Sequence, residues 1–285
     1  ICDLWAECVL REIGLSLEPP HSLKIQPTFD IDATYAYRHK GFQRNVLGLG
    51  KDLLSGKLSR LGERFNVLTG KRKDPFDTFE RIRDVAKAYP ETHCFWLLAD
   101  YGAFNKNLPH QHPEQANLIG DMATHCTVGI HPGYTTYQNP EVLALEKGRL
   151  EKLLGNQVTA SRQHYLRLSL PLTYEHLMEQ GIAIDYSMGY ADQVGFRMGT
   201  ARKTPWFNLR TNEKSALQLQ PFCYMDGTLN EYLQRSPEEA IVIVKELKEA
   251  VRRYGGTFSF IWHNETLGLQ HHWKGWDEVF AESLE

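Results

Sequence analysis

No stretch of the 285 residues approaches the roughly 20 consecutive apolar positions that a bilayer-spanning helix needs. The N-terminus also lacks the basic region, apolar core and cleavage site of a secretory leader. No membrane span is expected, and a cytoplasmic location is the corresponding expectation. Cys-x-x-Cys pairs are missing, and the five cysteines (Cys2, Cys8, Cys94, Cys126 and Cys223) are odd in number, which excludes a closed disulfide framework and suits a reducing compartment. Positive charge is not in excess: a formal net charge of -3 offers nucleic acid no basic face, so that partner is not expected. Disorder is excluded as well, because 42% hydrophobic and 24% charged residues are ordinary globular values. A chain of this length buries a sizeable core, either as one large α/β domain or as a smaller domain with appendages. It starts at Ile1 without a methionine, which fits a processed chain or one with residues missing upstream.

What is present alternates. Residues 2–13 have helical spacing and are followed by Pro19-Pro20, so 1–24 reads as an N-terminal docking segment. Ile25 to Phe29 reads as a strand that ends in Asp30-Ile31-Asp32. Residues 38–76 are rich in Gly, Leu and basic side chains and read as a helical insertion that forms a lid or a partner surface. Its Lys and Arg would attract an anionic substrate such as a nucleotide- or lipid-phosphate-linked sugar, although a solvated face has the same composition. Helices then read at 77–89, 114–124, 141–154, 172–180 and 237–254, and strands at 94–99, 127–130, 160–165, 181–185 and 257–262. Such alternation predicts parallel strands joined by crossover helices. In a parallel barrel the C-terminal strand ends share one mouth, and Asp30, Asp32, His131, Arg162, Asp185 and His263 all fall at such ends.

Five segments taken in order carry a resemblance: Thr28-Phe29-Asp30-Ile31-Asp32, Gly129-Ile130-His131-Pro132, Arg162-Gln163-His164-Tyr165, Asp185-Tyr186-Ser187-Met188-Gly189-Tyr190 and Ile261-Trp262-His263. They resemble the five motifs of the polysaccharide deacetylase family, a group of carbohydrate esterases, over about residues 25–265. Residues 181–200 resemble a bacterial subgroup linked to surface-polysaccharide synthesis. The resemblance implies a distorted (β/α) barrel of about seven parallel strands over 25–285. It also implies hydrolysis of N- or O-acetyl groups on a sugar, with a divalent metal, zinc first and cobalt or nickel as alternatives.

Hydrolysing an amide requires an activated water, stabilisation of the oxyanion and an acid for the leaving amine. By resemblance Asp30 is the general base, Asp32 and His131 are metal ligands, and Arg162 orients Asp30 and keeps it ionised. His263 is the acid, oriented by Asp185. Tyr165, Tyr190, Trp206, Phe207 and Trp262 are candidate walls for a sugar ring, with a place in the core as the alternative for each.

The family's second motif has a further histidine four positions after the first, and here Thr135 stands there. His164, where the third motif normally has proline, is the preferred third ligand. His125, a site with two protein ligands, and a metal-free site are the alternatives. Two rival functions stay open: hydrolysis of another non-peptide C–N bond, and a carbohydrate-binding homologue without turnover. Oligomeric state is not legible.

Overall fold

A computed structural model describes residues 1–15, 23–56 and 58–285; Pro19, Pro20 and Lys57 lie outside the described residues. Helix α1 (Cys2–Glu12) buries none of its own residues and is held on the loop at 198–199 by the Cys2 amide, which donates to the Gly199 carbonyl. Strand β1 (Lys24–Ile31) is followed by a helical hairpin, α2 (Gly41–Leu54) and α3 (Leu58–Leu68), before the crossover helix α4 (Phe79–Ala88) leads to β2 (His93–Trp96). The alternation continues through α5 (Pro113–Met122), β3 (Thr127–Ile130), α6 (Pro140–Leu154), β4 (Ala160–Ser161), α7 (Leu172–Glu179) and β5 (Ile184–Asp185). Then come β6 (Thr204–Asn208), β7 (Glu213–Leu219), α8 (Pro237–Tyr254), β8 (Thr257–His263) and α9 (Asp277–Leu284).

The elements form where local chemistry favours them. In α4 the buried residues Phe79, Ile82, Val85 and Ala86 recur at helical spacing and form one core-facing stripe. In α8 Ser236 and Glu239 close a reciprocal capping box, Pro237 occupies the first turn, and Gly255 follows the last.

The eight strands order as β6-β7-β5-β4-β3-β2-β1-β8, all parallel except β6. Beyond β7 the chain reaches β8: the Cys223 amide donates to the Ser259 carbonyl and the Ile261 amide to the Tyr224 carbonyl, so the sheet curls round on itself. This is the distorted barrel of seven parallel strands that the motifs imply. The β6–β7 hairpin and α9 are not among the sequence-expected elements, and β4 and β5 are shorter than expected.

Strand parity then sorts every side chain between two layers. On β1, Phe29 packs outward on Phe280 of α9 at 6.2 Å between ring centroids, while Thr28 and Asp30 face Arg162 inside the curl. The interior is narrow at Gly129 of β3: a Cβ there would lie 2.7 Å from the Phe95 ring and 2.8 Å from the Ala160 carbonyl oxygen. Gly129→Ala is therefore expected to cost about 1–3 kcal/mol through overpacking. A denaturant titration checks this, and an unchanged midpoint would show that the strand yields freely.

Candidate active site

The first motif leaves β1 at the mouth. Arg162, fully buried, donates from Nη1 to Asp30 Oδ1 at 2.7 Å, from Nη2 to Thr28 Oγ1 at 2.8 Å and from Nε to the Tyr186 carbonyl at 3.1 Å. Its guanidinium lies 4.4 Å from the centre of the Phe95 ring. This contact holds Asp30 by Oδ1 and leaves its Oδ2 3.8 Å from His131 Nε2.

Asp32, His131 and His164 meet beside it. His131 Nε2 lies 3.2 Å from Asp32 Oδ1, and His164 Nε2 lies 3.4 Å from Asp32 Oδ2; three ligand atoms, one from each residue, all fall within 4.8 Å of one another. Backbone hydrogen bonds knit the loops: the His131 amide donates to the Trp96 carbonyl, Arg162 to Ile130, and His164 to Pro132. The loop carrying His164 is thus laced to the loop carrying His131, which brings a residue of the third motif beside one of the second. His125 lies at the opposite end of β3, near Asp121, and cannot take part. Tyr165, next to His164, has a left-handed backbone at φ 58° and a mostly exposed ring. Strain of this kind, of order 1–3 kcal/mol, persists only where its surroundings impose it.

The donor set matches a cation. The His131 Nδ1 is 2.6 Å from the Arg162 carbonyl, an acceptor only, so Nδ1 carries the proton and Nε2 presents a lone pair. Asp32 Oδ1 is buried without a hydrogen-bond donor among the described residues. Although burial works to raise it, the Asp32 carboxyl is held well below the ordinary range by His164 and His131. Burial likewise opposes charge on His131, and Asp30 and Asp32 overcome it, raising that imidazole.

On the other side of the mouth, His263 departs from expectation in its partner. Asp226 Oδ1 lies 2.8 Å from His263 Nδ1, and Asp226 Oδ2 accepts the His263 amide at 2.8 Å. Burial pulls the imidazole down, yet Asp226 outweighs it and lifts His263 well above its usual range. Asp226 itself, against the upward pull of burial, is depressed by His263 and Thr266. Asp185 cannot orient His263. It accepts from the hydroxyls of Ser161 and Ser187 at 2.8 and 2.9 Å, on the face opposite Arg162, and burial raises its carboxyl. Successive residues point to opposite faces, so Asp185 goes with Ser161 toward α7 while Arg162 and Tyr186 go inward.

The same rule removes Trp262, which precedes His263: it is fully buried against Phe280 at 4.9 Å and Trp273 at 6.3 Å and walls no mouth. Trp206 is buried on Tyr174. Tyr190 lies beside Arg197 rather than in the cleft lining, whereas Tyr165 does line it. Two groups not foreseen also face the cleft. Burial and Asp32 push Glu265 up to about 7, and burial and Arg44 bring Lys40 down to about 8. The cleft, about 580 Å³, runs from Asp30, Asp32, His131, His164 and His263 to Lys40, Arg60 and Arg64 on the hairpin side.

No family model matches the chain, and no curated protein matches it. Solved structures do. A crystal structure from Mycobacterium smegmatis, provisionally described as a polysaccharide deacetylase, aligns with a TM-score of 0.53 over 94% of this chain and 87% of the other, at 15% identity. This chain has that fold. PuuE allantoinase aligns equally well, with a TM-score of 0.53 over 96% of this chain and 89% of the other, at 14% identity. At these identities the likeness is one of architecture, which agrees with the barrel that the motif resemblance implied.

Proposed function

We propose that the chain is a metal-dependent hydrolase that removes an acyl group, acetyl first, from an amino sugar or a polysaccharide precursor. The observation that carries this reading is the meeting of Asp32, His131 and His164 within one cleft that also holds an Arg-clamped acid and an Asp-clamped histidine. Two imidazoles and a carboxylate suit zinc, with cobalt or nickel as substitutes. When bound, such an ion supplies Lewis acidity, polarising the acyl carbonyl and making water easier to deprotonate.

The chain's own groups do the rest. Arg162 occupies Asp30 Oδ1, so Oδ2 is the oxygen that takes the proton from the attacking water. Asp226 occupies His263 Nδ1, so Nε2 is the nitrogen that hands a proton to the departing amine. One proton is accepted and one donated, and the products are a carboxylic acid and a free amine. Tyr165 offers an exposed ring face at the mouth for a sugar. A second reading, hydrolysis of another non-peptide C–N bond, is favoured by the equal likeness to allantoinase and uses the same groups.

Acetate release from a panel of acetylated mono- and oligosaccharides, run with zinc, cobalt and nickel beside cyclic-amide substrates, separates the two readings. Ring opening without acetate release would select the second. Failure to take up stoichiometric divalent metal would overturn both. His164→Ala should weaken metal binding by more than the roughly 10–100-fold that losing an outer-shell partner costs. Unchanged occupancy in that variant would remove His164 from the ligand set.

A further inference from the structure

Amphipathic surface elements normally turn their apolar stripe inward. The α2–α3 hairpin does the reverse. Among the described residues of its two helices the buried ones are charged, Val67 apart: Arg64 Nη2 donates to Asp52 Oδ2 at 2.8 Å and Nη1 to Asn45 at 3.1 Å, and Glu63 accepts from the Tyr37 hydroxyl at 2.9 Å. Its outer side is apolar and uncovered, with Phe42 84%, Leu47 74% and Leu54 90% exposed, and Leu53 and Phe65 exposed beside them. Phe42, Val46, Leu49 and Leu53 follow helical spacing and form one stripe, and Leu47 and Leu54 widen the exposed apolar face about a third of a turn round the helix from it. The hairpin is not adrift: at its base the Asp74 carboxylate accepts from the backbone amides of Ala36, Tyr37 and Arg38.

Charge decides what would cover that stripe. Residues 38–73 contain ten Lys and Arg against two acids, a net of +8 in a chain whose total is -3. Both acids, Asp52 and Glu63, are buried in ion pairs with Arg64 and Arg72, so the exposed charge of the hairpin is positive. A second copy would bring two such surfaces face to face and be repelled. A nucleic acid would leave the leucines and phenylalanines without apolar contact. An anionic lipid surface satisfies both features, since acyl chains accept the stripe and headgroups accept the basic rim.

We infer that the α2–α3 hairpin docks this protein on an anionic bilayer, lying in the interface without spanning it. Arg60 and Arg64 of the same hairpin line the cleft, so docking sets the cleft beside the headgroup layer, where a lipid-carried substrate would be presented. The docking itself does not depend on the hydrolase reading and is tested without turnover.

The full chain is sedimented with vesicles of phosphatidylcholine and with vesicles of phosphatidylcholine and phosphatidylglycerol in equal parts. Binding to the mixed vesicles is expected to exceed binding to the neutral ones at least tenfold and to weaken as salt shortens the Debye length. The apolar variant Phe42→Ser/Leu47→Ser/Leu54→Ser and the charge variant Lys51→Glu/Lys71→Glu/Lys73→Glu, both at exposed positions, should each lose at least about tenfold of that binding while melting as the parent does. Equal affinity for both vesicle types, or parental binding by either folded variant, would overturn the inference. So would a concentration-dependent dimer that the apolar variant abolishes in a protein that ignores vesicles.

Discussion

Asp30→Asn should lower kcat for acyl release by about 10²–10⁴, the contribution expected of a positioned general base. Metal occupancy should be unchanged. Asparagine keeps the shape of the side chain and can still accept from Arg162, but it has no carboxylate to take the proton of water. The triad of Asp32, His131 and His164 does not need Asp30 as a ligand, since its three ligand atoms come together without it. Turnover and metal content are therefore separable, and titrating metal into the variant measures the second directly. Loss of both together would move Asp30 from base to ligand. A smaller rate effect, below tenfold, would remove it from the chemistry. Arg162→Ala is not the cleaner experiment, because it leaves the buried Asp30 carboxylate without its partner, which typically costs about 3–5 kcal/mol.

Asp226→Asn should move the alkaline limb of the pH profile of kcat/KM toward lower pH. The sign follows from the pair. In the proposed reaction His263 is the proton donor, so its cation would be the active form, and activity would fall as pH rises through its folded-state pKa. Burial alone would depress that pKa, and Asp226 lifts it well above the usual imidazole value. With the carboxylate gone, burial remains, the pKa falls, and the protonated donor is lost earlier on the alkaline side. Asp185→Asn is the control: its carboxylate lies on the other face of the sheet, bonded to Ser161 and Ser187, so it should leave the limb in place whatever it does to stability. A limb that moves with Asp185 and not with Asp226 would reverse the assignment.

The sequence carries a signal for Asp226. Phe222-Cys223-Tyr224-Met225 is a short apolar run ended by an acid, as are the runs that end at Asp30 and Asp185. What the pattern does not carry is adjacency. Asp226 reaches His263 because the segment after β7 pairs with β8 across the seam of the curled sheet, a contact between residues 37 apart in sequence. Trp262 shows the converse. Its place before His263 put it near the mouth in sequence, and a single step along the strand put it on the opposite face.

Much is legible in the sequence alone. Periodicity marked the crossover helices and most parallel strands, and with them the barrel, because each element is set by neighbours three, four or two residues away. Strand ends placed Asp30, Asp32, His131, Arg162 and His263 at one mouth, since parallel strands must all finish on the same side. Three things needed the tertiary structure. It laced the His164 loop to the His131 loop, gave His263 to Asp226 rather than Asp185, and turned the hairpin's apolar stripe outward. Each depends on which segments lie side by side or which face a residue takes once the sheet has closed, and local spacing along the chain does not encode either.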